Sequence, residues 1–265
     1  MELNQILGYI GALIVGLVLG LIGGGGSILT VPILVYLIGL NPVTATAYSL
    51  FVVGTTSLFG AIQNFKNKMV DIRTAIVFAI PAFIAVYLTR RYLVPAIPDS
   101  LFNVFDFEVT KSVFIMIFFA IIMLLASISM IKTRKKEKSL EQEVQYKIPL
   151  IVLEGVVVGI LTGIVGAGGG FLIIPALVLL AKLPMKLAVG TSLVIISAKS
   201  LIGFLGDVQN LTIDWTFLTI FTSLSIIGIL IGVYATKFIS GEKLKKGFGW
   251  FTLFMAFYII YKELQ

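Results

Sequence analysis

The sequence contains no cysteine and no histidine, and it has few charged residues. Without cysteine the chain forms no disulfide and uses no thiolate chemistry. Without histidine it lacks the usual zinc ligands and cannot build a histidine-dependent catalytic triad. Charged residues make up 12% of the chain and hydrophobic residues 58%, whereas a soluble domain has about 25% charged residues. These proportions exclude a soluble enzyme, a disordered protein and a coiled coil, and they predict a polytopic membrane protein.

Apolar runs divide the chain into two similar halves. The runs lie at 6–22, 28–40, 43–62, 74–88 and 112–131, and then at 148–165, 171–181, 187–206, 215–236 and 247–261. A basic linker at 132–147 separates them, so we predict a first membrane repeat at 1–131 and a second at 148–265. A spanning helix needs about 20 residues. The runs at 28–40 and 171–181 are shorter, and each follows a glycine cluster, which predicts broken or re-entrant helices.

The two halves repeat at a constant offset of 143 residues. The segment Gly20–Pro32 aligns without a gap with Gly163–Pro175, and further along Asp71 falls on Asp214. Glycines, a proline and an aspartate that recur in register predict an internal duplication. Each aspartate also directly precedes an apolar run, so we expect it to cap the helix that follows.

Basic residues predict how the halves lie in the membrane. Five segments per half is an odd number, so the second half is inverted if every segment crosses. Alternating loops place 15 basic residues on one face and 4, including Arg90 and Arg91, on the other. The positive-inside rule makes the first face, with the linker at 132–147, cytoplasmic. We therefore expect an all-α polytopic protein of the inner or plasma membrane, with two inverted repeats of about five segments and both termini outside.

The glycine clusters are the first candidates for a substrate-binding site. They comprise Gly23, Gly24, Gly25, Gly26 and Ser27 in the first half, and Gly166, Gly168, Gly169 and Gly170 in the second. Glycine permits unwound backbone, and free N–H groups at the start of the following helix attract anions. Inverted-repeat transporters use paired helix breaks of this kind. The alternative is tight packing, because small residues let helix backbones touch.

Lys199 is the second candidate, because it is the only basic residue well inside an apolar run. It lies seven residues after Ser192, just as Thr56 lies seven residues after Ser49 at the equivalent positions. Seven residues are about two helical turns, so each pair shares a helix face. With Ser200, these faces are predicted to line a substrate path to which Lys199 adds positive charge. The alternative is a lysine that extends to the membrane interface.

Glu154 is the only carboxylate inside an apolar run. Two roles are open for it, namely coupling transport to proton movement or bonding neighbouring helices. The sequence predicts no catalytic residue, no cofactor and no metal site. The expected partners are a small anionic substrate and the lipid bilayer, without nucleic acid, and association into a homo-oligomer is left open.

These residues carry a family resemblance. The chain resembles the TauE/SafE sulfite exporter family, also described as the TSUP membrane permeases. The resemblance lies in the paired glycine clusters that each run into a proline, the segment 190–193 with its weaker copy at 47–50, and Asp71 and Asp214. It covers about residues 5–261 and implies transport of small sulfur oxyanions or organosulfonates, such as sulfite, thiosulfate or sulfoacetate. The halves differ within the motif.

The expected function is secondary transport of a small anion by alternating access, linked to protons or to the membrane potential. The N-termini of the two half-helices and Lys199 would supply positive potential, and serine and threonine hydroxyls would bond the anion's oxygens. Tyr48 stands where the second half has Thr191, so the halves are not identical. Two alternatives remain: an anion channel, and a membrane-embedded assembly or scaffold protein without transport.

Overall fold

The computed structural model describes residues 3–24, 26–104, 107–131, 148–166, 168–179, 183–235 and 241–264. The elements of the first half are α1 (Leu3–Ile22), α2 (Ser27–Pro32) with a π-helical segment (Ile33–Leu37), α3 (Pro42–Lys66), α4 (Ile72–Leu88) with a second π-helical segment (Thr89–Leu93), α5 (Val94–Ala96), β1 (Ser100–Val104), β2 (Phe107–Thr110) and α6 (Lys111–Ile131). Those of the second half are α7 (Ile148–Val165), α8 (Gly170–Leu179), α9 (Met185–Asp207), α10 (Trp215–Ala235) and α11 (Gly241–Glu263). The predicted linker at 132–147 lies outside the described residues.

Helices of membrane length dominate the structure. Within the described ranges, seven helices are long and apolar enough to cross a membrane: Gln5–Ile22, Pro42–Lys66, Ile72–Ala96, Lys111–Ile128, Ile148–Val165, Leu187–Asp207 and Trp215–Ala235. The chain is therefore a helical, multi-pass membrane protein, which confirms the fold class predicted from composition. The antiparallel hairpin of β1 and β2 was not predicted. Its strands of five and four residues are too short to stand out beside the apolar runs.

The two short helices are too short to cross the bilayer. The apolar segment Ser27–Leu37 has 11 residues and α8 has 10, whereas a span requires roughly 20. Both finish with the same backbone bond, from Leu40 N–H to Leu34 O and from Leu183 N–H to Leu177 O, each 3.0 Å long. The sequence expectation of two short segments after the glycine clusters is thus met.

The aspartates that recur at the 143-residue offset cap equivalent helices. Asp71 Oδ1 accepts a hydrogen bond from Thr74 N–H at 2.7 Å at the start of α4. Asp214 Oδ1 accepts one from Phe217 N–H at 3.0 Å at the start of α10. Each cap supplies an acceptor for an amide that has no partner inside its helix. The capping predicted for both residues is confirmed.

Hydroxyl groups join each capping aspartate to the opposite half. Asp71 N–H donates to Thr191 Oγ1 at 2.9 Å, and Asp214 N–H donates to Tyr48 Oη at 2.6 Å. Tyr48 and Thr191 occupy equivalent positions, so two different side chains make the same bond. The motif difference between the halves therefore leaves this contact intact.

Helix packing also follows the duplication. Helix α1 packs on α10 as α7 packs on α4, while α3 packs on α9 and α6 on α11. Along the α3–α9 pair, Gly54 lies against Leu201, and the rings of Phe51 and Phe204 are 5.0 Å apart. Residue numbers thus rise on one helix as they fall on the other, so these equivalent helices are antiparallel. The inverted orientation of the halves stays a prediction, and this packing supports it.

Glycines four residues apart bring the α1 and α10 backbones into contact. A Cβ atom placed on Gly20 would lie 2.5 Å from Ile229 O, and one placed on Gly16 would collide with the Ser225 carbonyl. Small residues at this spacing allow close helix association in membranes. We infer that these glycines allow α1 and α10 to pack in close backbone contact.

Gly16→Val is therefore expected to abolish most of the folded protein, because valine would push α1 away from α10. Gly247→Val is the matched control, since Gly247 lies in α11 with open space around the position of its Cβ. Both variants change intrinsic helix propensity by the same small amount, in the favourable direction, because valine is a better helix former than glycine. Size-exclusion chromatography in detergent compares them. A Gly16→Val protein that elutes and melts like the control would contradict the packing account.

Candidate functional site

The two glycine clusters meet where the halves adjoin. A Cβ atom placed on Gly24 would lie 2.5 Å from the Cα atom of Gly170, and one placed on Gly168 would lie 3.2 Å from Ser27 Cβ. The segment before α2 is thus in backbone contact with the first residue of α8. The N-termini of the two helices, which both carry partial positive charge, are brought together. Gly25, a predicted member of the first cluster, lies outside the described residues.

Left-handed backbone explains part of the glycine requirement. Gly23 and Gly166, which are equivalent in the repeat, have φ angles of +83° and +73°, and Gly168 and Gly169 have +60° and +67°. Side-chain-bearing residues rarely adopt such angles. Gly26 instead has a φ of −62° and lies against the α1 backbone. Unwound backbone and tight packing, weighed as alternatives from the sequence, therefore both occur: the left-handed glycines are closely packed as well, whereas Gly26 requires glycine for its packing alone.

Lys199 lies beside the second glycine cluster. Its side chain is fully buried, and its Nζ donates to Thr162 Oγ1 on α7 at 2.7 Å. Thr162 in turn donates to Val158 O at 2.7 Å. A Cβ atom placed on Gly169 would lie 2.9 Å from the Lys199 Nζ. The ammonium therefore points into the helix bundle at the start of α8 and does not extend to an interface.

Several hydroxyl groups on α3 and α9 are buried without a partner. Among the described residues, no hydrogen-bond partner is found for the side-chain oxygens of Ser49, Thr56, Ser57 and Ser200. By contrast, Ser192 donates to Val189 O at 2.8 Å, and Ser27 donates to Gly24 O at 2.7 Å. An unsatisfied buried polar group costs about 1–3 kcal/mol. The orphan hydroxyls are thus available to a polar ligand, whereas two of the predicted site hydroxyls donate to their local backbone.

Thr56 and Lys199 share a level in the bundle. The antiparallel contacts of Gly54 with Leu201 and of Phe51 with Phe204 place Thr56 opposite Lys199 along the α3–α9 pair. The two positions are also equivalent in the repeat. The structure therefore brings Thr56 and Lys199 together, whereas the same register places Ser49 and Ser192 about two helical turns away, toward opposite ends of the pair.

Glu154 is not part of this group. It is half-buried on α7, eight residues before the Thr162 that receives the Lys199 bond. Eight residues span roughly 12 Å along a helix. Glu154 thus lies apart from Lys199, and proton coupling through Glu154 stays a prediction.

Arg90 is a second buried cation, which the sequence analysis placed in an outer loop. The helix does not end at residue 88 but continues to Ala96, giving the membrane-length span Ile72–Ala96. Arg90 is fully buried within it, and Asp207, which directly follows the predicted run 187–206, is the buried last residue of α9. Lys199 is the only basic residue well inside an apolar run of the sequence, but it is not the only buried basic residue within a membrane-length helix.

Two charged residues explain why the sequence did not predict that this helix continues past residue 88. Arg90 and Arg91 follow the apolar run at 74–88 directly and resemble a helix end. The signal that could have revealed it is the apolar stretch that resumes at 92–97. Arg90 was counted on the face with fewer basic residues. If it is no longer counted there, the difference between the two faces grows, so the predicted sidedness is unchanged.

Polar contacts connect Arg90 to the second glycine cluster. Its Nη1 donates to Thr46 Oγ1 at 3.1 Å and lies 3.5 Å from Asp207 Oδ2. Thr46 in turn packs against Gly166, where an added Cβ atom would lie 2.5 Å from Thr46 Cα. Lys199 and Arg90 are thus linked to opposite ends of the same glycine cluster.

Positive charge is concentrated around the second glycine cluster, with Lys199 from the second half and Arg90 from the first. Thr56 and Val233 occupy the positions equivalent to Lys199 and Arg90, so the first cluster has no matching cations there. Within the described residues, no group of three potential carboxylate ligands comes together for a metal ion. The charge, the unwound backbone and the orphan hydroxyls suit a small anion.

Comparisons with known proteins agree with this architecture. A family model described as sulfite exporter TauE/SafE matches residues 9–259. The chain is 29% identical over 257 residues to a probable membrane transporter protein of Xylella fastidiosa strain 9a5c, covering 94% of this chain and 92% of that protein. It is 30% identical over 220 residues to the probable membrane transporter protein YunE of Bacillus subtilis, covering 77% and 78%. No solved structure matches significantly. Because the family model spans nearly the whole sequence, this chain belongs to the sulfite exporter TauE/SafE family.

Proposed function

We propose that this protein is a secondary transporter that moves a small anion across the membrane by alternating access. The expected substrate is a sulfur oxyanion or organosulfonate, of the sulfite, thiosulfate or sulfoacetate type. Family membership supports this class of substrate, and the relatives from Xylella fastidiosa and Bacillus subtilis are named as probable membrane transporters.

One observation carries the proposal, namely the buried ammonium of Lys199 beside the unwound start of α8. Among the described residues its hydrogen-bond partner is a threonine hydroxyl, and no carboxylate forms an ion pair with it. An intramembrane charge without a counter-charge is costly and marks substrate pathways. A bound anion would supply the missing negative charge.

The same geometry suggests how the anion is held. Its oxygens would accept hydrogen bonds from the Lys199 ammonium and from the first two amides of α8, at Gly170 and Phe171. The next two amides, of Leu172 and Ile173, already donate to Gly169 O. Hydroxyls of Thr56 and Ser200 would supply further donors. Movement of the halves against each other at the α3–α9 contact would open this site to one side at a time.

A thermal-shift panel tests the proposal. Purified protein is heated with sulfite, thiosulfate or sulfoacetate, with chloride and acetate as controls. We expect at least one sulfur anion to raise Tm in a concentration-dependent way, since a ligand at 100 times its Kd stabilises by about 2.7 kcal/mol. A scaffold protein would show no such effect. Equal melting in all anions would contradict the proposal.

Sidedness is proposed as well, with the linker at 132–147 in the cytoplasm and both termini outside. Single cysteines at Ser139 and Asn210, introduced into this cysteine-free chain, should differ in labelling by an impermeant maleimide. Asn210→Cys should react from outside intact cells, and Ser139→Cys should react only after lysis. Equal labelling of both from outside would refute the inverted arrangement.

A further inference from the structure

Most of the N–H donors of the Arg90 guanidinium make no hydrogen bond within the described residues. Its Nη1 donates to Thr46, but among the described residues its Nε and Nη2 have no hydrogen-bond partner, although the side chain is fully buried. A guanidinium carries five N–H donors in a planar fork. Unpaired donors in a dry interior are costly. The arrangement therefore lacks an acceptor at the Nε–Nη2 edge.

Asp207 balances the charge of Arg90 without filling that edge. Its Oδ2 atom lies 3.5 Å from Nη1, the nitrogen that already donates to Thr46, and makes no hydrogen bond within the described residues. A two-point arginine–carboxylate pair has two parallel bonds of about 2.7–2.9 Å. The ion pair is thus loose, and the two-donor edge stays open to another oxyanion.

The position of Arg90 fits a ligand-binding role. It lies in the π-helical segment Thr89–Leu93, and π-helical turns inside helices are frequent at functional sites. Asp207 follows Lys199 on α9 by eight residues, roughly 12 Å along the helix. The two buried cations therefore occupy separate positions, on either side of the second glycine cluster.

We propose that the Nε–Nη2 edge of Arg90 is a second anion subsite, which takes an oxyanion group presenting two oxygen atoms. The inference rests on the proposed function and adds to it a second anion-binding position, separate from the one at Lys199. The two oxygens accept one hydrogen bond each from Nε and Nη2, a geometry that arginine supplies and lysine does not. Asp207 pairs with the guanidinium from the Nη1 side, so it competes with the anion for the positive charge of Arg90 but not for the Nε–Nη2 edge.

Asp207→Asn tests this competition, with inorganic thiosulfate and sulfite as probes in titration calorimetry. Removing the carboxylate should tighten binding of at least one probe by roughly tenfold. The gain should persist in a Lys199→Gln background and vanish when Arg90→Gln is added. A merely structural ion pair predicts the opposite, a lower Tm with no gain in affinity, because the guanidinium is left unbalanced.

Arg90→Lys keeps the test valid if Asp207→Asn folds poorly. Lysine retains the charge and the partner carboxylate but loses the two-donor edge, so binding of the probes should weaken by roughly fivefold or more with little change in Tm. Parent-like binding by the Arg90→Lys variant would overturn the subsite. If the parent protein binds neither probe, the proposed function fails for inorganic sulfur oxyanions, and the subsite fails with it.

Discussion

Lys199→Gln is expected to weaken binding of the best sulfur anion at least tenfold, which corresponds to roughly 1.4 kcal/mol or more. Glutamine can still bond Thr162, as the Lys199 ammonium does at 2.7 Å, but the positive charge beside the α8 N-terminus is lost. Lys199→Arg should retain part of the affinity, because the charge survives while its geometry changes. Calorimetry or scintillation proximity would measure the three affinities.

Lys246→Gln is the matched control for this change. Lys246 is an exposed lysine on α11, so its substitution removes the same charge from the surface and should leave anion affinity unaltered. Both variants should reach the membrane at near-normal levels, because neutralising a buried charge seldom harms insertion. Unchanged anion affinity in Lys199→Gln would place the binding site elsewhere.

Gly169→Val is expected to abolish transport. Its backbone is left-handed, with φ at +67°, and an added side chain would collide with Thr162 and approach the Lys199 ammonium. Valine therefore brings both backbone strain and an obstruction at the start of α8. Transport of the labelled anion in proteoliposomes is the measurement.

Gly39→Val separates the obstruction from the strain. Gly39 has a φ of +82° but no atom within 4 Å of the position of its Cβ, so it carries a similar strain of about 1–3 kcal/mol without filling the site. We expect Gly39→Val to transport and Gly169→Val to be folded but inactive. A well-folded, fully active Gly169→Val protein would contradict a role for this backbone in binding.

The elements that could be predicted from the sequence are those whose signal lies in the composition of a short stretch of chain. Apolar length identified the membrane helices and the two short ones, and the residue types before Ile72 and Trp215 identified the aspartate caps. Lys199 was recognisable because a charge inside an apolar run is rare. Each of these signals lies within about one helix of sequence.

The parts that sequence could not predict depend on contacts between distant helices. The partner of Lys199 is Thr162, an ordinary threonine 37 positions away, and that of Arg90 is Asp207, on another helix. No periodicity links such pairs. A buried arginine also interrupts hydropathy as a loop residue does, so its burial became visible only when α4 was seen to continue past it.

Counterflow in proteoliposomes tests the central claim most directly. Vesicles containing the purified protein are loaded with excess unlabelled sulfite, thiosulfate or sulfoacetate and diluted into a trace of the same labelled anion. A carrier must exchange the two, so labelled anion should accumulate transiently in parent vesicles and much less in Lys199→Gln vesicles. Entry of label that opposing anion does not accelerate would indicate a channel, and an absence of protein-dependent entry for all three anions would contradict transport of this substrate class.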